Sequence, residues 1–170
     1  MLITNINKYI LLIKIRINNI NNQQELKDKN WRYVGQVVNE LREGKGIEYY
    51  NNGDRYEGDW RNDKREGKGT YYYNGGDIYE GDYRNNQPEG KGIYYWKSGN
   101  RYEGDFRNGK SKGKGIYYWN SGNRYEGDFK NWKREGKGII YYHNGDRGDY
   151  YNDNPLGKHV ILTRNGEAKT

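Results

Sequence analysis

The chain repeats one pattern of hydrophobic and polar positions that predicts a β-hairpin. In the run from Tyr56 to Trp60, aromatic residues and glycine alternate with acidic residues, which is typical of a strand with two different faces. Polar residues follow, and a second run rich in Tyr and Ile extends from about Gly67 to Tyr73. Two such runs separated by a short polar segment indicate a hairpin.

The segments between the predicted hairpins have the composition of tight turns. Each contains a glycine preceded by Asn, Gly or Ser, and glycine supplies the positive φ angle that many tight turns require. The pairs are Asn52-Gly53, Gly75-Gly76, Ser98-Gly99, Ser121-Gly122 and Asn144-Gly145. The predicted fold class is therefore all-β, an elongated single-layer antiparallel β-meander of stacked hairpins.

The pattern recurs every 23 residues, the separation of Tyr33 from Tyr56. A fixed period of this length indicates a repeat array in which each unit packs on its neighbours. One column holds only tyrosine, at Tyr33, Tyr56, Tyr79, Tyr102 and Tyr125. Three columns hold only glycine. The first begins with Gly35 and Gly58, the second with Gly44 and Gly67, and the third with Gly46 and Gly69.

Glycine at fixed strand positions predicts an unusual core. Glycine weakens a strand, so its repeated presence indicates that something bulky approaches the backbone there. Hydrophobic residues make up only 32% of the chain, and the repeats contain almost no Leu, Val or Met. We therefore expect a core of aromatic rings lying across the glycines of neighbouring strands.

These columns resemble the MORN repeat family. The shared pattern is Tyr-Glu-Gly-Asp-aromatic, a polar turn, Gly-Lys-Gly and then the next opening Tyr, as in residues 56–79. The resemblance covers residues 33–147 in five units and implies an array of hairpins. The first unit departs from the pattern, because Val34, Gln36 and Val37 stand where later units have Glu, Asp and an aromatic residue.

The repeats divide the chain into three predicted regions. Residues 1–30 form a low-complexity Ile/Asn-rich leader and linker, and residues 31–147 hold the five repeats. Residues 148–170 form a degenerate sixth repeat that follows the opening Arg147-Gly148-Asp149. Atypical terminal units are expected to cap an array and to protect a sheet edge from pairing with other chains.

The leader has three interpretations. An amphipathic helix for a membrane surface, a partner or an organellar presequence would place a row of apolar residues on one face. Alternation over residues 13–17 suits a strand. The third interpretation, which we favour, is a poorly ordered low-complexity leader. The apolar run is too short, and too charged, to span a membrane. The residues of the helical face are Leu2, Ile6, Ile10, Ile13, Ile17 and Ile20.

The net charge of +7 is spread over the chain. Residues 1–30 carry +3, from five basic and two acidic residues, which leaves +4 for the repeats. We expect Lys68 and its column equivalents to face Glu57 and Asp59 across the hairpin, rather than to form a phosphate-binding row. An acidic partner or lipid would meet the most basic stretch of the array. Its residues are Lys97, Arg101, Arg107, Lys110, Lys112 and Lys114.

The aromatic residues suggest a partner-binding surface. Aromatic side chains beside basic ones can stack on nucleic-acid bases, but here they follow the period of the strands, so we expect core packing first and disfavour nucleic acid. The exposed members of two aromatic triplets are the better candidates for binding a peptide or helix of another protein. The triplets are Tyr94, Tyr95, Trp96 and Tyr117, Tyr118, Trp119.

Little in the sequence suggests catalysis. The chain contains no cysteine, which excludes disulfides and thiolate metal sites. His143 and His159 have no nucleophile or ligand pattern nearby, so we expect solvent-facing side chains. The repeated acidic residues occur in every typical unit, whereas an active site needs an environment of its own. We predict no catalytic residue, no cofactor and no metal ion.

Function is therefore predicted chiefly from the resemblance. Proteins with this repeat often act as scaffolds that tether other proteins at membranes, junctions, cytoskeletal or ciliary structures, and this implies a non-enzymatic interaction module in the cytoplasm. The alternative is a peripheral membrane protein that binds acidic phospholipids through the basic N-terminal segment and basic repeat edges. A third hypothesis is the repeat portion of a larger regulated enzyme. A homodimer through the sheet ends or an aromatic face is also compatible with the sequence.

Overall fold

The structure is a computed structural model that describes residues 23–155, 161–162 and 167–169. No helix occurs in this described part, and accordingly none that could cross a membrane. The three interpretations of the leader concern residues 1–22 and lie outside the described residues. The same holds for His159 and for residues 156–160, 163–166 and 170 of the predicted sixth repeat.

The described residues form β-strands joined by short turns. The strands are β1 (Gln24–Lys27), β2 (Trp31–Val38), β3 (Leu41–Tyr50), β4 (Arg55–Arg61), β5 (Lys64–Tyr72), β6 (Ile78–Arg84), β7 (Gln87–Tyr95), β8 (Arg101–Arg107), β9 (Lys110–Tyr118), β10 (Arg124–Lys130), β11 (Lys133–Tyr141), β12 (Arg147–Tyr151), β13 (Asn154–Pro155), β14 (Ile161–Leu162) and β15 (Ala168–Lys169).

One open sheet contains all of these strands in chain order. From β1 to β12 each strand pairs antiparallel with the next, β13 and β14 both pair with β12, and β15 pairs with β14. The predicted fold class, a single-layer antiparallel meander of hairpins, is confirmed. The sheet begins earlier than the repeat pattern indicates, because Gln24–Lys27, inside the predicted linker, pairs with β2.

Each of the five repeat hairpins contains a β-bulge next to the glycine columns. In the second unit the register shifts between Gly58 and Trp60, so that Asp59 has no partner in β5. Gly67 adopts a φ of +71°, and the Asp59 carboxylate accepts a hydrogen bond from the Lys68 N–H at 2.9 Å. A bulge of this kind bends the strand and increases its twist. In the first unit Gln36 replaces the aspartate and accepts from the Lys45 N–H at 3.2 Å.

The core consists of tyrosine rings on glycine, as predicted. A Cβ atom added to Gly69 would lie 2.4 Å from the Tyr56 hydroxyl, so the ring occupies the space that a larger residue would need. The same hydroxyl donates a hydrogen bond to the Asp59 carbonyl at 3.0 Å, which satisfies the backbone group at the bulge. All five column tyrosines are fully buried. We call this side of the sheet the core face.

Aromatic rings continue across the core face from unit to unit. Tyr56 contacts both Trp60 of its own strand and Tyr83 of the next unit in T-shaped geometry, with centroids 5.3 and 5.0 Å apart. The corresponding contacts are repeated as far as Tyr125 and Phe129. Edge-to-face pairs stabilise a structure beyond the area they bury. Neighbouring units are therefore joined by ring contacts as well as by backbone hydrogen bonds.

The cover of this core differs between units. Arg42 lies over Trp60 and pairs with Glu48, while Arg65 lies over Tyr56. The fourth unit has the small Ser111 at the equivalent position, and Trp132 of the next hairpin turn covers it. The Trp132 N–H donates to the Ser111 hydroxyl at 2.7 Å, and its ring packs 5.7 Å from Tyr102 and 5.6 Å from Phe106.

Candidate functional site

The face opposite the tyrosine core, which we call the open face, carries three rows of side chains that run across the strands. Because side chains alternate between the faces of a strand, Arg55, Glu57 and Asp59 of β4 all lie on this side. Antiparallel pairing aligns Arg55 and Glu57 with residues of both neighbouring strands, and Asp59 with Lys45 of β3. We name the rows the arginine–tyrosine row, the glutamate–isoleucine row and the lysine–aspartate row.

The arginine–tyrosine row alternates the two residue types across most of the sheet. Arg55 is paired with Tyr72, and its guanidinium lies 4.0 Å from the centre of that ring. The same guanidinium lies 3.5 Å from the Glu57 carboxylate. The stacked pairs are Arg32 with Tyr49, Arg55 with Tyr72, Arg101 with Tyr118, and Arg124 with Tyr141.

The glutamate–isoleucine row forms the middle of the open face. Glu57 lies between Ile47 and Thr70 of the flanking strands, and Glu103 lies between Ile93 and Ile116. Together with the glycine backbone and the lysine row, these residues line an open groove of about 1380 Å³. The groove extends from β2 to β10 and so crosses the strands of four and a half hairpins. It presents carboxylates and aliphatic side chains in regular alternation.

The lysine–aspartate row differs from the prediction in its pairing. Lys68 was expected to face the acidic residues of its own hairpin, but its ammonium group lies 2.6 Å from Asp82 of the next unit. Asp82 also accepts the Lys91 N–H at 3.0 Å, so one carboxylate joins two units. The lysine column therefore stabilises the array by exposed ion pairs, which contribute little individually.

The two predicted aromatic triplets are divided between the faces. Tyr95 and Tyr118 lie in the arginine–tyrosine row. The other four side chains pack against one another on the core face, where Trp96 lies 5.2 Å from Tyr117. The triplets do not form one continuous surface, and partner binding by these residues stays a prediction. The core-face members are Tyr94, Trp96, Tyr117 and Trp119.

The two tyrosines of this group, Tyr94 and Tyr117, have pKa values raised chiefly by burial. Burial raises the pKa of Tyr94, and the hydrogen bond from its hydroxyl to Asp77 at 2.8 Å raises it further. In the preceding unit Tyr71 donates to Asp54 in the same way. Burial alone would raise the pKa of Asp54, but hydrogen bonds from Asn74, Asn52 and Tyr71 hold it below its usual range.

The six predicted basic residues also occupy different places. Lys97 lies in a turn that joins two hairpins, Arg101 stacks on Tyr118, and Lys114 pairs with Asp128 at 2.9 Å. Three others converge at the edge where the turns within each hairpin lie, which we call the hairpin edge. They line a cavity of about 510 Å³ together with Lys130. The converging residues are Arg107, Lys110 and Lys112.

A local change of residue type makes this edge basic. Lys112 stands where Glu43, Glu66, Glu89 and Glu135 stand in the other units. In the second unit the Glu66 carboxylate accepts the N–H of Asn85 from the following turn. Lys112 removes this acceptor and adds a positive charge. The described residues contain no group of three or more side chains that could hold a metal ion, and His143 is exposed.

Sequence reasoning missed the arginine–tyrosine row and the groove. The signal was present, because Arg at 32, 55, 101 and 124 and Tyr at 49, 72, 95, 118 and 141 are columns of the 23-residue alignment. What the alignment lacked was the register that places these columns side by side. The register follows from the bulges, at each of which the second strand of the hairpin has two more residues than the first.

Comparison with protein families decides what kind of array this is. The MORN repeat model matches five consecutive segments, at residues 33–55, 56–78, 79–101, 102–124 and 125–147. The chain belongs to the MORN repeat family. These segments cover more than half of the MORN chain and coincide with the five units predicted from the sequence. No curated protein matches it.

Two solved structures illustrate the similarity in fold. One is the TCP domain of SAS-4 (dCPAP) of Drosophila melanogaster in complex with a proline-rich motif of Ana2 (dSTIL). Its TM-score is 0.51 at 14% identity, with 86% of the MORN chain and 88% of the other chain covered. Another is the TCP10 domain of Danio rerio CPAP with a STIL peptide. It has a TM-score of 0.40 at 13% identity and covers 85% and 71% of the two chains. At these identities the likeness concerns the fold alone.

Proposed function

We propose that this MORN array is a non-enzymatic interaction scaffold whose open face binds an extended peptide of a protein partner. The observation that carries the proposal is the groove of about 1380 Å³ between the rows of the open face. It is long, it crosses β2 to β10, and it combines aliphatic and charged side chains. Tethering of that partner at a membrane, cytoskeletal or ciliary structure is the role we propose for the whole chain.

The period of the array suits a peptide in the polyproline II conformation. Two strands per unit at about 4.8 Å each give a repeat of about 9.6 Å along the groove. A polyproline II helix rises about 3.1 Å per residue, so three residues span about 9.3 Å. A peptide laid across the strands would present the same side of its helix to every unit. Nine strands correspond to about 38 Å, or about 12 residues.

The fold comparison supports the same kind of ligand. The Drosophila domain, whose TM-score is 0.51, was solved in complex with a proline-rich motif. That complex belongs to another protein with 14% identity, so for this chain it serves only as support. Preformed extended peptides lose little conformational entropy on binding and are favoured by surfaces with regularly spaced aromatic side chains.

Selection from a peptide library tests this function. Twelve-residue peptides with proline at every third position should be enriched on the full chain over peptides of the same composition in scrambled order. Glu103→Lys, which reverses one charge in the groove, should lower the affinity for the selected peptides by tenfold or more. Glu40→Lys makes the same change of charge in an exposed turn outside the groove and should alter affinity less than twofold. Equal affinities for the two variants would contradict the proposal.

The hairpin edge favours a second candidate function, binding of an acidic phospholipid surface. The supporting observation is the convergence of Arg107, Lys110, Lys112 and Lys130 around one cavity. Lys112→Glu restores the residue type of the other units and should reduce sedimentation with phosphatidylserine vesicles, whereas Lys27→Glu should not. If charge reversal in the leader, at Lys8, Lys14 and Arg16, abolishes sedimentation instead, the leader is the membrane-binding element.

A further inference from the structure

One position interrupts the arginine–tyrosine row. In four hairpins an arginine is the first or second residue of the first strand. Each of these guanidinium groups lies within 4.4 Å of the centre of a tyrosine ring. Three of them also approach the glutamate two residues further along the strand. The pairs with glutamate are Arg55 with Glu57, Arg101 with Glu103, and Arg124 with Glu126.

The third hairpin, formed by β6 and β7, has Ile78 at the place of this arginine. Ile78 is paired directly with Tyr95, and Glu80 lies two residues further along the same strand. Within the described residues, no guanidinium lies over Tyr95 and no ion pair involves Glu80, whose side chain is exposed and lines the groove. The unit thus retains the ring and the carboxylate that elsewhere hold an arginine, but the arginine is missing.

Neighbouring guanidinium groups do not prevent a cation from occupying this position. Tyr95 lies between Ile78 and Arg101 in the row, and Arg101 is stacked on Tyr118. Arg101 and Arg124 occupy consecutive units at the same spacing, each with its own glutamate. A guanidinium over Tyr95 would therefore stand no closer to Arg101 than the array already tolerates elsewhere.

We propose that an arginine side chain of the bound peptide fills this gap, stacking on Tyr95 and pairing with Glu80. The inference rests on the proposed function of the open face and names the chemistry of its partner. Arginine suits the position better than lysine, because its planar guanidinium stacks on an aromatic face and pairs with a carboxylate at the same time. The third hairpin would then fix the register of the peptide along the groove.

Synthetic peptides with one variable residue test the inference. Three peptides of sequence Pro-Pro-Xaa-Pro-Pro, with arginine, lysine or citrulline at the centre, are titrated into the isotope-labelled full chain and followed by NMR. The arginine peptide should shift the amide signals of Ile78, Glu80 and Tyr95 most, and it should bind at least fivefold more tightly than the citrulline peptide. The lysine peptide should bind less tightly than the arginine peptide.

Variants at the gap separate this inference from the proposed function. Ile78→Arg supplies the residue that the other units carry and should reduce affinity for the arginine peptide to that of the citrulline peptide, while Ile78→Leu should leave it unchanged. Glu80→Gln should reduce affinity for the arginine peptide and leave affinity for the uncharged citrulline peptide unchanged. If Ile78→Arg and Ile78→Leu bind the arginine peptide equally, the inference is overturned and groove binding stands. If none of the peptides shifts a signal on the open face, both proposals fail.

Discussion

The two faces of the sheet are made from the same strands but depend on different interactions. On the core face Tyr56 fills the space above Gly69, bonds to its own bulge and contacts rings of the neighbouring unit. On the open face Lys68 and Asp82 form an ion pair in which the lysine side chain is 70% exposed. Because exposed pairs contribute little to stability, the core face holds the array together. Side chains on the open face can therefore be substituted with a smaller loss of stability.

Alkaline pH should unfold the array by ionising the tyrosines of the core face, and we expect this to be the largest effect on stability. Burial raises the pKa of Tyr33 to about 12 and raises the pKa of the other column tyrosines. Tyrosine in the unfolded chain has a pKa of about 10. The unfolded chain therefore loses protons first as the pH rises above about 10, and the free energy of unfolding falls from that pH upward.

Circular dichroism and tyrosinate absorbance, recorded together against pH, check this expectation. A large part of the tyrosinate signal should appear only as the β-sheet signal disappears. Ionisation of all tyrosines near pH 10 with the sheet intact would contradict the assignment of the column tyrosines to a tightly packed core.

A single methyl group on a core-face glycine should produce the largest effect of any substitution. The Cβ of Gly69→Ala would overlap the Tyr56 ring, which is held by its hydrogen bond, so we expect a loss of about 3 kcal/mol in the free energy of unfolding. Gly75→Ala is the matched control, because a Cβ there meets no atom within 4 Å. Urea titration should show a change of less than about 0.5 kcal/mol for this control.

Removal of one hydroxyl distinguishes the hydrogen bond at the bulge from the packing of the ring. Tyr56→Phe leaves the Asp59 carbonyl without its donor and should cost about 1 to 2 kcal/mol. Among the described residues the buried Tyr125 hydroxyl has no hydrogen-bond partner, so Tyr125→Phe should be neutral or stabilising. If thermal denaturation shows the same loss of stability for both variants, the hydrogen bond of the Tyr56 hydroxyl does not stabilise the fold.

Substitutions on the open face should have the smallest effects. Lys68→Gln removes one exposed ion pair and should lower the free energy of unfolding by less than about 0.5 kcal/mol. Asp82→Ala also removes the acceptor of the Lys91 N–H beside a glycine at positive φ, and should cost about 1 kcal/mol. If Lys68→Gln lowers the free energy of unfolding as much as Gly69→Ala, the conclusion that the core face provides most of the stability is wrong.

The strands and the core could be predicted from the sequence because both depend on local alternation and on columns of invariant residues. The partner of Lys68 could not, since each strand has a neighbour on both sides and the column pattern does not choose between Asp59 and Asp82. The strand Gln24–Lys27 lies outside the repeat pattern and gave no signal. The two aromatic triplets were considered together although consecutive strand residues point to opposite faces.

The candidate site was predicted less completely than the fold. The sequence predicts Arg101, Tyr95 and Tyr118 as candidate site residues, and all three lie in one row. Lys97 and Lys112 are also predicted, but they lie near opposite ends of the strands. Composition identifies residues capable of binding, but only the register determines which of them meet. Likewise, the significance of Ile78 appears only when its row is compared across units.

The coverage of Ser111 by Trp132 has a consequence for how such an array can lengthen or shorten. Most contacts reach only the adjacent unit, so duplication or deletion of 23 residues would preserve them and change the length in steps of about 9.6 Å. Trp132 is different, because its ring also lies 5.3 Å from Tyr94, which belongs to a unit two places earlier. Deletion of 23 residues between Tyr94 and Trp132 would therefore break this contact, whereas deletion of a unit outside that segment would preserve it.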